Sequence, residues 1–141
     1  MSYLNTKLAL IQKLQNATIT GITADDIAWE NNNFDPSGKS QYIACYFIPA
    51  VTESLGKTLA SSDQQEGIFQ ISVFISLDGG EYDHNQLQIV DDVLSEFQYS
   101  TSSVYNGQTV EILESTLNAG SENESWFKRD LSINYLTFSE R

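Results

Sequence analysis

Cysteine, histidine and proline are nearly missing from this chain of 141 residues, which has one, one and two of them. With Cys45 alone no intrachain disulfide can form. Its place inside the apolar run YIACYFI marks it as a small buried hydrophobe rather than a nucleophile. One histidine leaves a Ser–His–Asp arrangement only His84 to use, and no GxSxG or CxxC occurs. The pair Gly79–Gly80 has neither GxGxxG spacing nor the GK[ST] ending of a phosphate loop, and Asp78, Glu81 and Asp83 surround it with the charge that phosphate avoids. No run approaches the roughly 18 apolar residues of a membrane span, so no membrane partner is expected. The opening MSYLNTKLALIQKLQ lacks the basic cluster, long apolar core and small-residue cleavage site of a secretory signal. The sequons at Asn16 and Asn123 therefore carry little weight.

Positive charge is the other absence. No Lys or Arg occurs between Lys57 and Lys128, while that interval holds twelve acids: Asp63, Glu66, Asp78, Glu81, Asp83, Asp91, Asp92, Glu96, Glu111, Glu114, Glu122 and Glu124. Their number equals the magnitude of the formal net charge, −12. Such a surface repels nucleic-acid phosphate, which argues against sequence-specific DNA binding. It reads either as plain solubility or as an acidic wall past which DNA slides without sticking.

What is present is enough for a core, and the length fits one domain spanning 1–141. Residues 2–15 follow a helical period, with Ser2 as N-cap and Leu4, Leu8, Ile11 and Leu14 toward one face. After an Asn-rich loop with a short extended piece at 27–29, the stretch 41–51 reads as a strand apolar on both faces. Pro49 there implies an edge or the end of pairing. Residues 52–65 read as a long loop that Gly67 ends, and Ile68, Ile71, Val73 and Ile75 with Phe69 and Phe74 give a second strand. A helix is expected over 82–97, with Leu87, Val90, Val93, Leu94 and Phe97 buried and Gln86, Asp91, Asp92 and Ser95 largely outside that stripe. Strands at 109–117 and 126–138 follow. In the last, Phe127, Leu131, Ile133 and Tyr135 alternate with Trp126, Lys128, Asp130, Ser132 and Asn134. The expected fold is α+β: an antiparallel four-stranded sheet with two helices on one face, in the order α-β-β-α-β-β.

Few residues invite chemistry. Glu81, Asp83 and His84 could form a metal site or a small acidic enzyme's centre, but neighbours on a helix diverge and no second histidine exists. Adjacent acids at Asp25–Asp26 and Asp91–Asp92 diverge in the same way, whereas a glycosidase pair must converge across a cleft. No catalytic residue, cofactor or metal is expected.

Several segments in order resemble the tail-terminator family of long-tailed bacteriophages. They are the early amphipathic helix, IAWENNNFDP at 27–36, QYIACYFIPA, EGIFQISVFI, VDDVLSEF and the aromatic-then-basic SWFKRDLSINY. The resemblance covers most of the chain and is best at 67–74 set against 27–34. It implies a structural virion protein, assembled in the bacterial host cytoplasm. Such proteins form a six-membered ring that caps the head-proximal end of the tail tube, ends its polymerisation and offers the neck a docking surface. The implied partners are further copies of the chain, the tail tube protein, and a neck or head-completion protein, with DNA passing through the lumen. A head-completion or neck connector protein is the nearest alternative. A ring of heterologous contacts needs two different patches per subunit. Trp29, Tyr42, Tyr46 and Trp126 are the expected interface aromatics. The loop with Glu53, Lys57, Asp63 and Gln65 is the expected contact to tube or neck. Asp78, Glu81, Asp83, Glu122 and Glu124 are the expected acidic lumen.

Overall fold

The structure is a computed structural model and describes residues 2–77 and 83–140. In chain order the elements are α1 (Tyr3–Gln15), β1 (Ile27–Ala28), β2 (Gln41–Ser54), β3 (Ser62–Ser76), α2 (His84–Glu96), β4 (Ser102–Tyr105), β5 (Gln108–Leu117), β6 (Ser121–Asn123) and β7 (Trp126–Glu140). They form an α+β fold in which two helices accompany a strongly curled, half-barrel sheet of seven strands, not the four expected. The order is β1-β2-β3-β7-β5-β4, with β6 added to one end of β7. β1 runs parallel to β2 and every other pair is antiparallel, so the sheet is mixed.

The three additional strands are short; β1 is the extended piece expected at 27–29, whereas β4 and β6 come from segments read as loops. β4 and β5 are joined by Asn106–Gly107, both at positive φ (51° and 81°), as a tight hairpin turn of this handedness requires. β6 lies inside NAGSENES and pairs Glu122 with Phe127. The supposed loop 52–65 is mostly strand as well. β2 continues to Ser54 and β3 starts at Ser62, in register from Val51↔Glu66 to Ser54↔Asp63. Pro49 does not end the pairing with β3, but it does lie at an edge, because β1 pairs only with Ile43 and Ala44 of β2. It sits opposite Gly67, and the bulge between Pro49 and Val51 bends the strand instead. A second bulge falls between Ile112 and Ser115 of β5. Local twist of this kind helps an open sheet curl.

One apolar cluster joins both helices to one face of the sheet. It includes Leu10 and Leu14 of α1, Ile89 and Val93 of α2, Ile43 and Cys45 of β2, Phe69 and Ile71 of β3, Ile112 of β5, and Leu131 and Ile133 of β7. Burying each large side chain of this kind contributes about 1.5–3 kcal/mol. α1 starts where the Ser2 hydroxyl accepts from the Asn5 amide at 2.9 Å. Its buried stripe is Thr6, Ala9, Leu10, Lys13 and Leu14, whereas Leu4 is 66% exposed and Leu8 and Ile11 are only partly covered. Hydropathy favoured the leucines, but Lys13 is accommodated in the stripe by an ion pair with Glu96 (3.6 Å) and by lying 5.7 Å above the Phe97 ring. Thr6 enters a polar network with Gln65, Gln108 and Thr137. In α2, Gln86 is fully buried, contrary to the expected stripe.

Gly67 owes its identity to close approach rather than to loop release. A Cβ there would lie 2.6 Å from the Ile48 carbonyl oxygen and collide with the Tyr135 hydroxyl.

Candidate functional site

The face of the sheet opposite the helices carries three of the four aromatic residues expected at an interface, Tyr42, Tyr46 and Trp126. Tyr42, Phe74 and Lys128 stand side by side in one row across β2, β3 and β7. The Tyr42 ring stacks on Phe74 (4.5 Å, 4°), Trp126 meets Tyr42 edge-on (4.9 Å, 87°), and Phe34 tilts against it at 5.0 Å. Lys39 and Lys128 lie 5.8 and 5.9 Å over Phe34 and Phe74. Tyr42 and Trp126 thus belong to a small second aromatic cluster within the subunit, and burial pushes the Tyr42 phenol above its ordinary pKa. Tyr46, further along the same face of β2, is 38% exposed. Trp29 packs instead against the main core and lines a cavity with Ile11 and Cys45. The four expected interface aromatics are therefore divided between two faces.

Cys45 is 3% exposed and its thiol is pushed up to about 12 by burial, which leaves it protonated and inert. Beside it, Glu30 pairs with Lys7 at 3.4 Å and accepts the Phe47 amide, covering a donor on β2 just past the two residues that β1 pairs.

At one end of the sheet the Leu77 amide donates to the Ser125 carbonyl at 3.0 Å, so the residue just past β3 lies beside the β6–β7 turn. Of the five lumen candidates, Glu122 and Glu124 are exposed on β6 and that turn, and Asp83 is the N-cap residue of α2. Asp78 and Glu81 lie outside the described residues. Asp83 accepts from the Arg129 guanidinium at 3.2 Å, and His84 is the exposed first residue of α2. Among the described residues no group of three or more His, Cys, Asp or Glu is placed to hold a metal ion. The adjacent acids diverge as expected. Asp92 accepts the Thr20 amide at 2.8 Å while Asp91 is exposed, and Asp26 pairs with Lys39 at 2.8 Å while Asp25 is exposed.

The opposite end is the β2–β3 hairpin. Of its expected contact residues, Glu53 and Asp63 lie in paired strands, and Gln65 is buried, its side-chain oxygen facing Thr6 at 3.4 Å. Only Lys57 lies in the turn. That turn is ordered by its own bonds. The Leu55 amide donates to Ser62 O at 3.0 Å, Ser61 N to Thr58 O at 3.1 Å, and the Thr58 and Ser61 hydroxyls meet at 3.0 Å. On it Leu55 is 52% and Leu59 85% exposed.

Between the two ends is a cavity of about 360 Å³ lined by Ala50, Glu66, Gly67, Ile68, Tyr99, Leu113, Glu114, Asn134 and Tyr135. None of these was anticipated as a site. They come from β2, β3, β5, β7 and the segment after α2, and Ala50 and Leu113–Glu114 fall in the two bulges, whose positions no local pattern announces. Leu55 and Leu59 did leave a signal: two leucines in an otherwise polar stretch.

A family model described as phage tail terminator protein matches residues 5–135. One solved structure superposes with a TM-score of 0.73 at 19% identity, covering 97% of this chain and 96% of that one, a likeness of fold. No curated protein sequence matches the chain.

Proposed function

Because the chain belongs to the phage tail terminator family, we propose that it closes into a homo-hexameric ring on the head-proximal end of the tail tube. The ring stops tube polymerisation and presents the neck with a surface to dock on. The family is structural rather than enzymatic, and its place is the virion tail. The observation that carries this reading is the family match across residues 5–135. The subunit surface supports it. Tyr46, Ile48 and Val51 form an exposed apolar strip along β2 (38, 41 and 50%) of the kind that partners cover. The acids at the β6–β7 end, Glu122 and Glu124 with Asp83 behind them, suit the wall of a passage through which DNA moves without specific binding.

Electron microscopy of tails assembled without this protein tests the role. Overlong tubes are expected. Tails of normal length that fail to join heads would instead assign the chain to head completion or the neck connector.

A further inference from the structure

Cations are scarce here, and the described ones are almost all engaged within the subunit. Lys7, Lys13, Lys39, Lys128 and Arg129 pair with Glu30, Glu96, Asp26, Asp130 and Asp83 at 2.8–3.6 Å. Lys57 alone among the described Lys and Arg residues takes part in no such ion pair. It projects from the ordered β2–β3 turn between Leu55 and Leu59, the latter 85% exposed. A rigid turn that shows two leucines and one cation is an apolar knob with a positive charge on it.

The cavity has the complementary chemistry. Ala50, Ile68, Tyr99 and Leu113 supply apolar lining, and the exposed Glu66 and Glu114 supply two carboxylates. A subunit cannot fill its own cavity with its own turn. The hairpin is paired from Val51↔Glu66 to Ser54↔Asp63, which holds the turn on the order of 13 Å beyond the cavity at the usual rise per residue. Knob and cavity are therefore two different, complementary patches on one chain, which is what a head-to-tail contact between copies requires.

We propose that the turn of one subunit seats Leu55 and Leu59 in the cavity of a second copy, where Lys57 meets Glu114 and Glu66. This rests on the ring reading above and names the surfaces by which the ring closes. The turn then serves a neighbouring subunit rather than the tube or neck. The charge pair fixes register and partner, while the leucines remove apolar surface from water.

The test compares self-association, in solution and on purified tail tubes, for the full chain and for Lys57→Glu, Glu114→Lys, their double variant and Leu59→Ser. Circular dichroism confirms that each is folded. Each single charge reversal is expected to weaken association about tenfold. The double variant should recover most of that loss, and Leu59→Ser should weaken association whatever the charges. If the wild type assembles and neither reversal matters, this contact is wrong and the ring reading stands. If Lys57→Glu self-associates normally but no longer binds tubes, the turn serves the tube and the proposal is overturned. A wild type that stays monomeric at every concentration, and on tubes, overturns the ring and this contact together.

Discussion

The side-chain amide of Gln86, in the first turn of α2, donates to the backbone carbonyl of Val73 in β3 at 2.9 Å. The same nitrogen reaches the Phe127 carbonyl of β7 at 3.1 Å, and the Gln86 oxygen accepts from Arg129 Nε at 3.3 Å. Arg129 in turn holds Asp83, the N-cap residue of the same helix. One buried amide therefore fixes the start of α2 onto two adjacent strands and orients the only described cation at that acidic end outside the aromatic cluster. Gln86→Leu keeps the bulk but leaves the part-buried Arg129 Nε without its acceptor and the Val73 and Phe127 carbonyls without this donor. It should lower stability by about 1–3 kcal/mol, read as a fall in the urea midpoint at unchanged slope.

Gly67 and Tyr135 form a second coupled pair. The Tyr135 hydroxyl is buried without a hydrogen-bond partner among the described residues, and burial pushes its pKa up to about 12. Gly67→Ala places a methyl group against that hydroxyl and against the Ile48 carbonyl. A loss of about 1–3 kcal/mol is expected from overpacking. Tyr135→Phe removes an unpaired polar group and should be neutral or stabilising. In the double variant, the phenylalanine should recover part of the loss, since the nearest of the three clashing atoms, the hydroxyl oxygen, is gone while the ring carbon Cζ and the Ile48 carbonyl oxygen remain. A double-mutant cycle from thermal melts measures this, and strict additivity would refute the coupling.

The difference between these two cases explains what the sequence made legible. The alternation Leu131, Ile133, Tyr135 placed the core face of β7 correctly, because period-two burial needs no knowledge of neighbours. The second strand followed from its β-favouring residues, and the helix expected over 82–97, described over His84–Glu96, followed from its own helical period. Gln86 could not be placed that way. An amide becomes a core residue only when carbonyls from two strands and a guanidinium converge on it, and those come from Val73, Phe127 and Arg129. The same holds for Thr6 and Lys13 in α1, and for the cavity between bulges in β2 and β5. The hairpin at Asn106–Gly107, by contrast, was written locally and was passed over inside a polar stretch. Of the expected contact surfaces, the acids at 122–124 and Lys57 lie in turns or short edge elements, as exposed charges should. Gln65 does not, because the hairpin strands extend past the point where polarity suggested a loop.

Acid should loosen two attachments in a predictable window. The Thr20 amide beside Asp92, and the Lys39 ammonium beside Asp26, hold these carboxyls below the usual carboxylate range. A folded-state pKa below the unfolded one stabilises the fold fully above about pH 4 and is lost as pH falls through the lower, folded value. The wild type should therefore outlast Asp92→Asn and Asp26→Asn at pH 7. The gap should stay flat to about pH 5 and close below about pH 4. Denaturant titrations at several pH values check this, and a gap that widens in acid would contradict the assignment.

The acidic end offers a functional prediction. If Glu122 and Glu124 line the DNA passage, Glu122→Lys with Glu124→Lys should leave ring and tail assembly intact but slow DNA ejection, because the wall would then bind the phosphates it now repels. Single-particle ejection kinetics measure this directly. Unchanged kinetics with normal assembly would reduce these acids to solvation.

The aromatic residues divide into two roles that mutation can separate. Trp126 meets Tyr42 edge-on, and Tyr42 stacks on Phe74, so removing the indole breaks an intramolecular cluster. Trp126→Ala should cost about 2–4 kcal/mol in the isolated subunit. Any defect in assembly should then follow from that loss of fold. Tyr46 has no stacking partner among the described residues and stands 38% exposed beside Ile48. Tyr46→Ala should change subunit stability by no more than about 0.5 kcal/mol, yet weaken ring formation if the β2 strip is covered there. Measuring melting temperature and oligomeric state on both variants separates a core residue from an interface residue. Equal loss of assembly at equal loss of stability in both would mean that Tyr46, too, belongs to the fold.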